Sequence, residues 1–185
     1  MIDDVIKDLR ESIAKAHEVL RRDLGKVRTG RAASSMLDTV RVDYYGTMTP
    51  LSQMASVNVP EPRLLIVKPW DKSMLKAVEK AISQAELGFN PQSDGDQIRV
   101  PVPPLTEERR KDMVKVARKH GEECKVTVRG ARRDALELLS SAQDDGEVSE
   151  DEGDRAKKKT EEVTADATKQ IDAIIQQKEK EILDV

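Results

Sequence analysis

The sequence predicts an elongated α+β protein: a three-helix bundle with a small α/β domain, mixed in strand and helix, inserted between its first and second helices. Three observations carry that expectation. Residues 1–28 hold a heptad-like apolar pattern, two further stretches of helical period follow Thr106, and the segment between them reads as short alternating strands punctuated by Gly and Pro. Composition agrees, since 36% of the 185 residues are charged, 37% are hydrophobic and only 2% are aromatic. Long amphipathic helices need only a narrow apolar stripe, whereas a single large aromatic core is excluded.

Along the first helix Ile6, Ile13, Leu20 and Val27 recur every seventh residue, with Ile2, Leu9 and Ala16 filling the alternate rows. Its end is expected at Arg28-Thr29-Gly30, where Gly30 can take the positive φ of a helix terminus. Val40, Val42 and Tyr44 alternate with Arg41 and Asp43, predicting a half-buried strand turned by Tyr45-Gly46. Residues 54–59 and 64–67 read as two more strands, separated by Pro60-Glu61-Pro62, which has no place in a central strand. Asp71 caps a helix carrying Met74, Leu75, Val78, Ala81, Ile82 and Ala85 that Gly88 ends. Residues 98–102 form the last strand, and Pro103-Pro104 stiffens the exit.

The second long helix starts at the hydroxyl cap Thr106 and carries Met113, Ala117, Cys124, Val128, Ala131, Ala135, Leu138 and Ala142 to about Ser141. Gly121 and Gly130 each weaken it by roughly 1 kcal/mol relative to Ala. The third starts at Ser149, whose spacing to Glu152 is that of a capping box. Its stripe is Ala156, Val163, Ala167, Ile171, Ile174 and Ile182, and the C-terminal part is expected against Ile6 and Leu9 of a parallel first helix. The first helix has no other partner for its stripe. Residues 1–29 and 106–185 are therefore expected to form the bundle and 30–105 the inserted domain, with two connections side by side.

The net charge of -3 excludes a basic protein that coats nucleic acid indiscriminately. No apolar run is long enough to span a bilayer, the N-terminal MIDDVIKDLR is too acidic for a signal or transit peptide, and the lone Cys124 excludes an internal disulfide framework. A cytoplasmic location without a membrane partner is expected. The charge is unevenly spread: residues 1–28 carry +1, 29–105 carry 0, 106–135 carry +4 and 136–185 carry -8. Lys111, Arg118, Lys125 and Arg132 recur every seventh residue, with Lys115 and Arg129 between them, predicting a cationic ridge on the second long helix.

A charge run is usually just a solvated face. The density of arginine in Val128-Arg129-Gly130-Ala131-Arg132-Arg133 favours phosphate, because a guanidinium makes two-pronged contacts with it. So few aromatics make base stacking on single strands a poor model and leave the backbone of structured nucleic acid as the expected ligand. Catalytic signals are weak. Ser73-x-x-Lys76 lacks the companion motifs of acylating enzymes, His120 and Cys124 have only His17 as a further imidazole, Asp94-Gly95-Asp96 reads as a turn, and no phosphate loop or nucleophile elbow occurs.

Particular runs carry more than composition. Lys26-Val-Arg-Thr-Gly-Arg-Ala32, Tyr44-Tyr-Gly-Thr47, Thr49-Pro-Leu51, Asp71-Lys-Ser-Met74, Ala77-Val-Glu-Lys-Ala-Ile82, Gly88-Phe-Asn-Pro91 and Ile98-Arg-Val-Pro101 are followed by Pro103-Pro-Leu-Thr-Glu-Glu-Arg-Arg-Lys111 and Val128-Arg-Gly-Ala-Arg-Arg-Asp134. In this order the chain resembles the bacterial ribosome recycling factors over residues 2–185. The resemblance implies an L-shaped molecule whose two domains join at a hinge, here 29–31 and 102–105 with Thr29, Gly30, Pro103 and Pro104. It implies a monomer without catalytic chemistry, cofactor or metal that binds the large ribosomal subunit and its RNA. With elongation factor G and GTP such a factor splits the post-termination ribosome, releasing mRNA and tRNA. Carried onto matching motifs, the RNA contacts are Arg28, Arg31, Arg129, Arg132 and Arg133, and the ridge adds Lys125. A plain helical adaptor would tolerate neutralising the ridge, and an enzyme would turn over without ribosomes.

Overall fold

The computed structural model describes residues 1–184; Val185, the expected last residue of the bundle, lies outside them. In chain order the elements are α1 (Ile2–Gly25), β1 (Arg41–Tyr44), β2 (Thr47–Pro50), β3 (Ala55–Glu61), β4 (Leu64–Pro69), α2 (Leu75–Gln84), β5 (Gln92–Asp94), β6 (Gln97–Pro101), α3 (Glu107–Asp144) and α4 (Glu150–Leu183). Two compact units form: Met1–Thr29 with Glu107–Asp184, and Gly30–Thr106. The architecture is the expected one, a three-helix bundle with a small strand-containing domain inserted between its first two helices.

In the bundle, α3 and α4 form a long antiparallel hairpin, started on the α4 side by the capping box of Ser149 and Glu152. Helix α1 lies antiparallel to α3, the Cys124 thiol donating to the Ala16 carbonyl at 3.5 Å. It runs parallel to α4, where the buried His17 donates from Nε2 to the Ala167 carbonyl at 3.2 Å. The core is Val5, Leu9, Ile13, Ala16, Leu20 and Leu24 of α1, packed with Ala117, Val128, Leu139, Ala167, Ile171 and Ile182 from the other two helices.

Several expectations shift. Helix α1 stops at Gly25, not Arg28, because Lys26 and Val27 close it with bonds to the Asp23 and Leu24 carbonyls. Val5 is buried in the core, while Ile6 is only half-buried and lines an open surface groove with Ile2 and Ala156. Likewise Leu139 is fully buried while Leu138 is 57% exposed. Because α1 and α4 are parallel, the C-terminal end of α4 lies beside Arg21 and Leu24, and Ile2 and Ile6 instead face Ala156, correcting the expected pairing with Ile6 and Leu9. Thr160 and Thr164 fill the α4 stripe unforeseen; each is buried and donates its hydroxyl to the carbonyl four residues back. Gly121 permits close helix approach, since a Cβ there would stand 2.7 Å from Ile175 Cγ1.

The smaller unit is a four-stranded antiparallel sheet, ordered β3-β4-β6-β5, with a separate β1-β2 hairpin. Proline-bearing β3 is an edge strand, which is why Pro60 is tolerated there. Strands β2 and β5 are too short and too polar to announce themselves in the sequence. Asp71 caps a 3-10 turn that leads into α2, and α2 buries Val78 and Ile82. Helix α2 ends at Gln84, ahead of Gly88.

Candidate nucleic-acid interface

The cationic surface is built on α3, whose 38 residues hold side chains in fixed register along its length. Arg129, Arg132 and Arg133 come together on one side of it, lining a surface groove of about 640 Å³ with Leu136, Glu137, Ser140 and Asp144. Arg129 and Arg133 are exposed, and neither forms an ion pair among the described residues. Gly130 has nothing within 4 Å of where a Cβ would stand, so it interrupts the run without carrying a contact.

The seven-residue row behaves differently from the groove. Arg118 bonds to Glu179 through Nε at 2.5 Å, Lys125 Nζ lies 2.7 Å from Asp172 and 3.5 Å from Glu122, and Arg132 Nη1 lies 3.5 Å from Glu161. Lys111 pairs within its own helix with Glu107. The hydrogen bond that Lys125 donates to the Asp172 carboxylate raises its pKa, keeping it a cation on the α3–α4 seam. Periodicity finds the cations but misses the carboxylates opposite them. Asp172 and Glu179 are themselves seven residues apart, the pattern of facing charged positions in paired helices, and that spacing is the signal that could have found them.

The remaining candidates lie elsewhere. Arg28 is exposed, just past α1 and beside buried Val27, within the bundle unit. Arg31 is exposed in the other unit, so the two arginines of one motif belong to different compact bodies. Thr29 and Gly30 stand at the boundary, Gly30 buried at φ 81°. Inside the small domain the Ala32 amide donates to the Pro62 carbonyl at 2.7 Å and the Val102 amide to the Arg63 carbonyl at 2.9 Å. Entry and exit are thus fastened to adjacent residues of one turn, leaving the backbone from Pro103 to Thr106 outside that clamp. Pro103 and Pro104 are exposed.

The residues with weak catalytic signals have local roles. Ser73 donates its hydroxyl and amide to Asp71. Burial pushes the Cys124 thiol above its ordinary pKa, which disfavours the thiolate that a nucleophile or metal ligand needs. His120 Nδ1 stands 3.6 Å from Glu123 and 4.0 Å from Asp23. No helix among the described residues is long and apolar enough to cross a membrane.

Comparison with known proteins bears on the family and the fold. The family model described as ribosome recycling factor matches residues 20–183. The ribosome-recycling factor of Sorangium cellulosum is 62% identical over 185 residues, all of both chains. A solution structure of a ribosome recycling factor aligns with TM-score 0.71 at 36% identity, covering 100% of this chain and 98% of the other. A second structure, of the T. thermophilus ribosome recycling factor and the E. coli elongation factor G bound to the E. coli post-termination complex, aligns with TM-score 0.62 at 41% identity and 99% of each chain.

Proposed function

Since the chain belongs to the ribosome recycling factor family, we propose that its α3 surface is where it grips ribosomal RNA and that it works as a mechanical part. It acts on the post-termination ribosome with elongation factor G, separating the subunits so that mRNA and tRNA are released. It needs no catalytic group of its own, and the GTPase supplies the free energy. It works where translating ribosomes are, in the cytoplasm. The observation that carries the RNA reading is the convergence of Arg129, Arg132 and Arg133 on one side of a long rigid helix. A guanidinium offers phosphate a planar pair of donors, and helical spacing lets successive arginines meet successive phosphates. Arg28 and Arg31 extend the grip beyond α3.

The connections at 29–31 and 102–105 form the hinge in this reading. One carries Gly30 in a left-handed conformation, and the other carries two consecutive prolines that restrict it. A stiff connection paired with a pliant one lets the small domain turn about the bundle when the GTPase moves it, and the bundle transmits the displacement to the bridges between subunits. The test is a splitting assay with purified post-termination ribosomes, elongation factor G and GTP. Subunits should separate only with all components present. Separation at the same rate without this protein would refute the assignment.

A further inference from the structure

The cations of α3 are held with unequal firmness. Glu179 grips Arg118 through two nitrogens, Nε at 2.5 Å and Nη2 at 3.4 Å. Two carboxylates share Lys125, the nearer at 2.7 Å. Arg132 meets Glu161 through one nitrogen at 3.5 Å, with side chains 42% and 52% exposed. Among the pairs that α4 makes with this row, the grip judged by distance is therefore loosest at Arg132, beside Arg129 and Arg133.

We infer that Glu161 is a specificity-determining residue of the α3 surface, occupying Arg132 so that only a ligand presenting several phosphates together gains that contact. This rests on reading the surface as phosphate-binding. A lone anion must displace a carboxylate already tethered beside the guanidinium, whose effective concentration is on the order of millimolar or above. An RNA backbone already seated on Arg129 and Arg133 brings its next phosphate with a tether of its own, and the exchange becomes even. Glu161 stays close after displacement and repels the incoming phosphate, so it lowers affinity for every polyanion and lowers it most for those that engage few sites. The firmly held Arg118 and Lys125 take no part in this exchange and instead keep α3 and α4 in register.

Glu161→Gln removes the charge and keeps the shape. Full-length protein would be titrated against inorganic pyrophosphate, a short anion that reaches few sites, and against purified large ribosomal subunits over a salt series. An exposed pair of this kind is worth at most about a fivefold change in affinity. The expected result is tighter binding to both ligands, with the larger gain for pyrophosphate, and loss of the gain in Glu161→Gln/Arg132→Ala. Glu162→Gln removes a neighbouring carboxylate paired only with Lys159 at 3.9 Å among the described residues, and should change neither affinity. An equal gain in Glu162→Gln would reduce the effect to net charge and overturn the inference. Unchanged or weaker pyrophosphate binding by Glu161→Gln, alongside weakened subunit binding by Arg132→Ala, would make Glu161 a bundle contact only and overturn it too. If Arg129→Ala and Arg132→Ala both bind subunits normally, the phosphate-binding reading itself fails.

Discussion

At the scale of single residues, position on α3 sorts arginines that look alike in sequence. Arg129 is exposed without an ion pair among the described residues, whereas Arg118 is spent on Glu179. Replacing Arg129 or Arg132 by Ala should weaken large-subunit binding and flatten the plot of log affinity against log salt by about one unit each. Arg118→Ala should leave that slope alone; an equal flattening there would spread the RNA contact along the whole ridge. The two glycines of α3 should respond in opposite directions. Gly130→Ala meets open space and should stabilise by about 0.5–1 kcal/mol through helix propensity. Gly121→Ala drives a methyl against Ile175 close to its backbone and should destabilise by about 1–2 kcal/mol, as chemical denaturation of the two variants would measure.

At the scale of elements, α4 is defined at both ends by contacts that can be removed singly. Hydrogen bonds from Ser149 hold the Glu152 carboxyl below its ordinary pKa. A depressed folded-state value means that the stabilisation is complete above the unfolded carboxylate range, near pH 4.3, and is lost as pH falls through the lower folded value. Ser149→Ala should lower the melting temperature by about 2–4 °C at neutral pH. The difference from wild type should shrink in acid, and a constant difference down to pH 2 would show that the ionised Glu152 adds nothing to the cap. At the other end Ile171 and Ile182 are fully buried, contributing roughly 1.5–3 kcal/mol each. A chain ending at Gln170 should therefore melt far lower and lose splitting activity, although every proposed RNA contact remains. Normal melting and recycling by that truncation would make the segment dispensable.

At the scale of the whole molecule, the proposed mechanism depends on two compact units and two connections of unlike stiffness. Replacing Pro103 and Pro104 together by Ala should leave large-subunit affinity unchanged, since neither belongs to the α3 groove, while slowing splitting by elongation factor G. A slack connection absorbs the applied motion instead of transmitting it. Subunit binding and splitting measured on the same preparation separate the two effects. Full splitting activity in the Ala-Ala variant would remove stiffness of this connection from the mechanism.

The sequence by itself determined the fold class, because heptad repetition, period-two alternation and glycine or proline breaks are local signals that survive without knowledge of neighbours. It placed the capping box of Ser149 and Glu152, the turn at Tyr45-Gly46 and the cations of α3. It also carried the family, through motifs spread along nearly the whole chain. Tertiary structure alone decided how deeply the first turns of α1 are covered, since Val5 and Ile6 are both apolar and only the neighbouring helices bury the first and leave the second lining an open groove. It decided that Thr160 and Thr164 belong in the core, because their hydroxyls bond back to their own helix. And it decided which cations on the ridge are engaged, because an arginine's availability depends on the carboxylate that a second helix sets opposite it, and helix pairing brings together residues as far apart in sequence as Arg118 and Glu179.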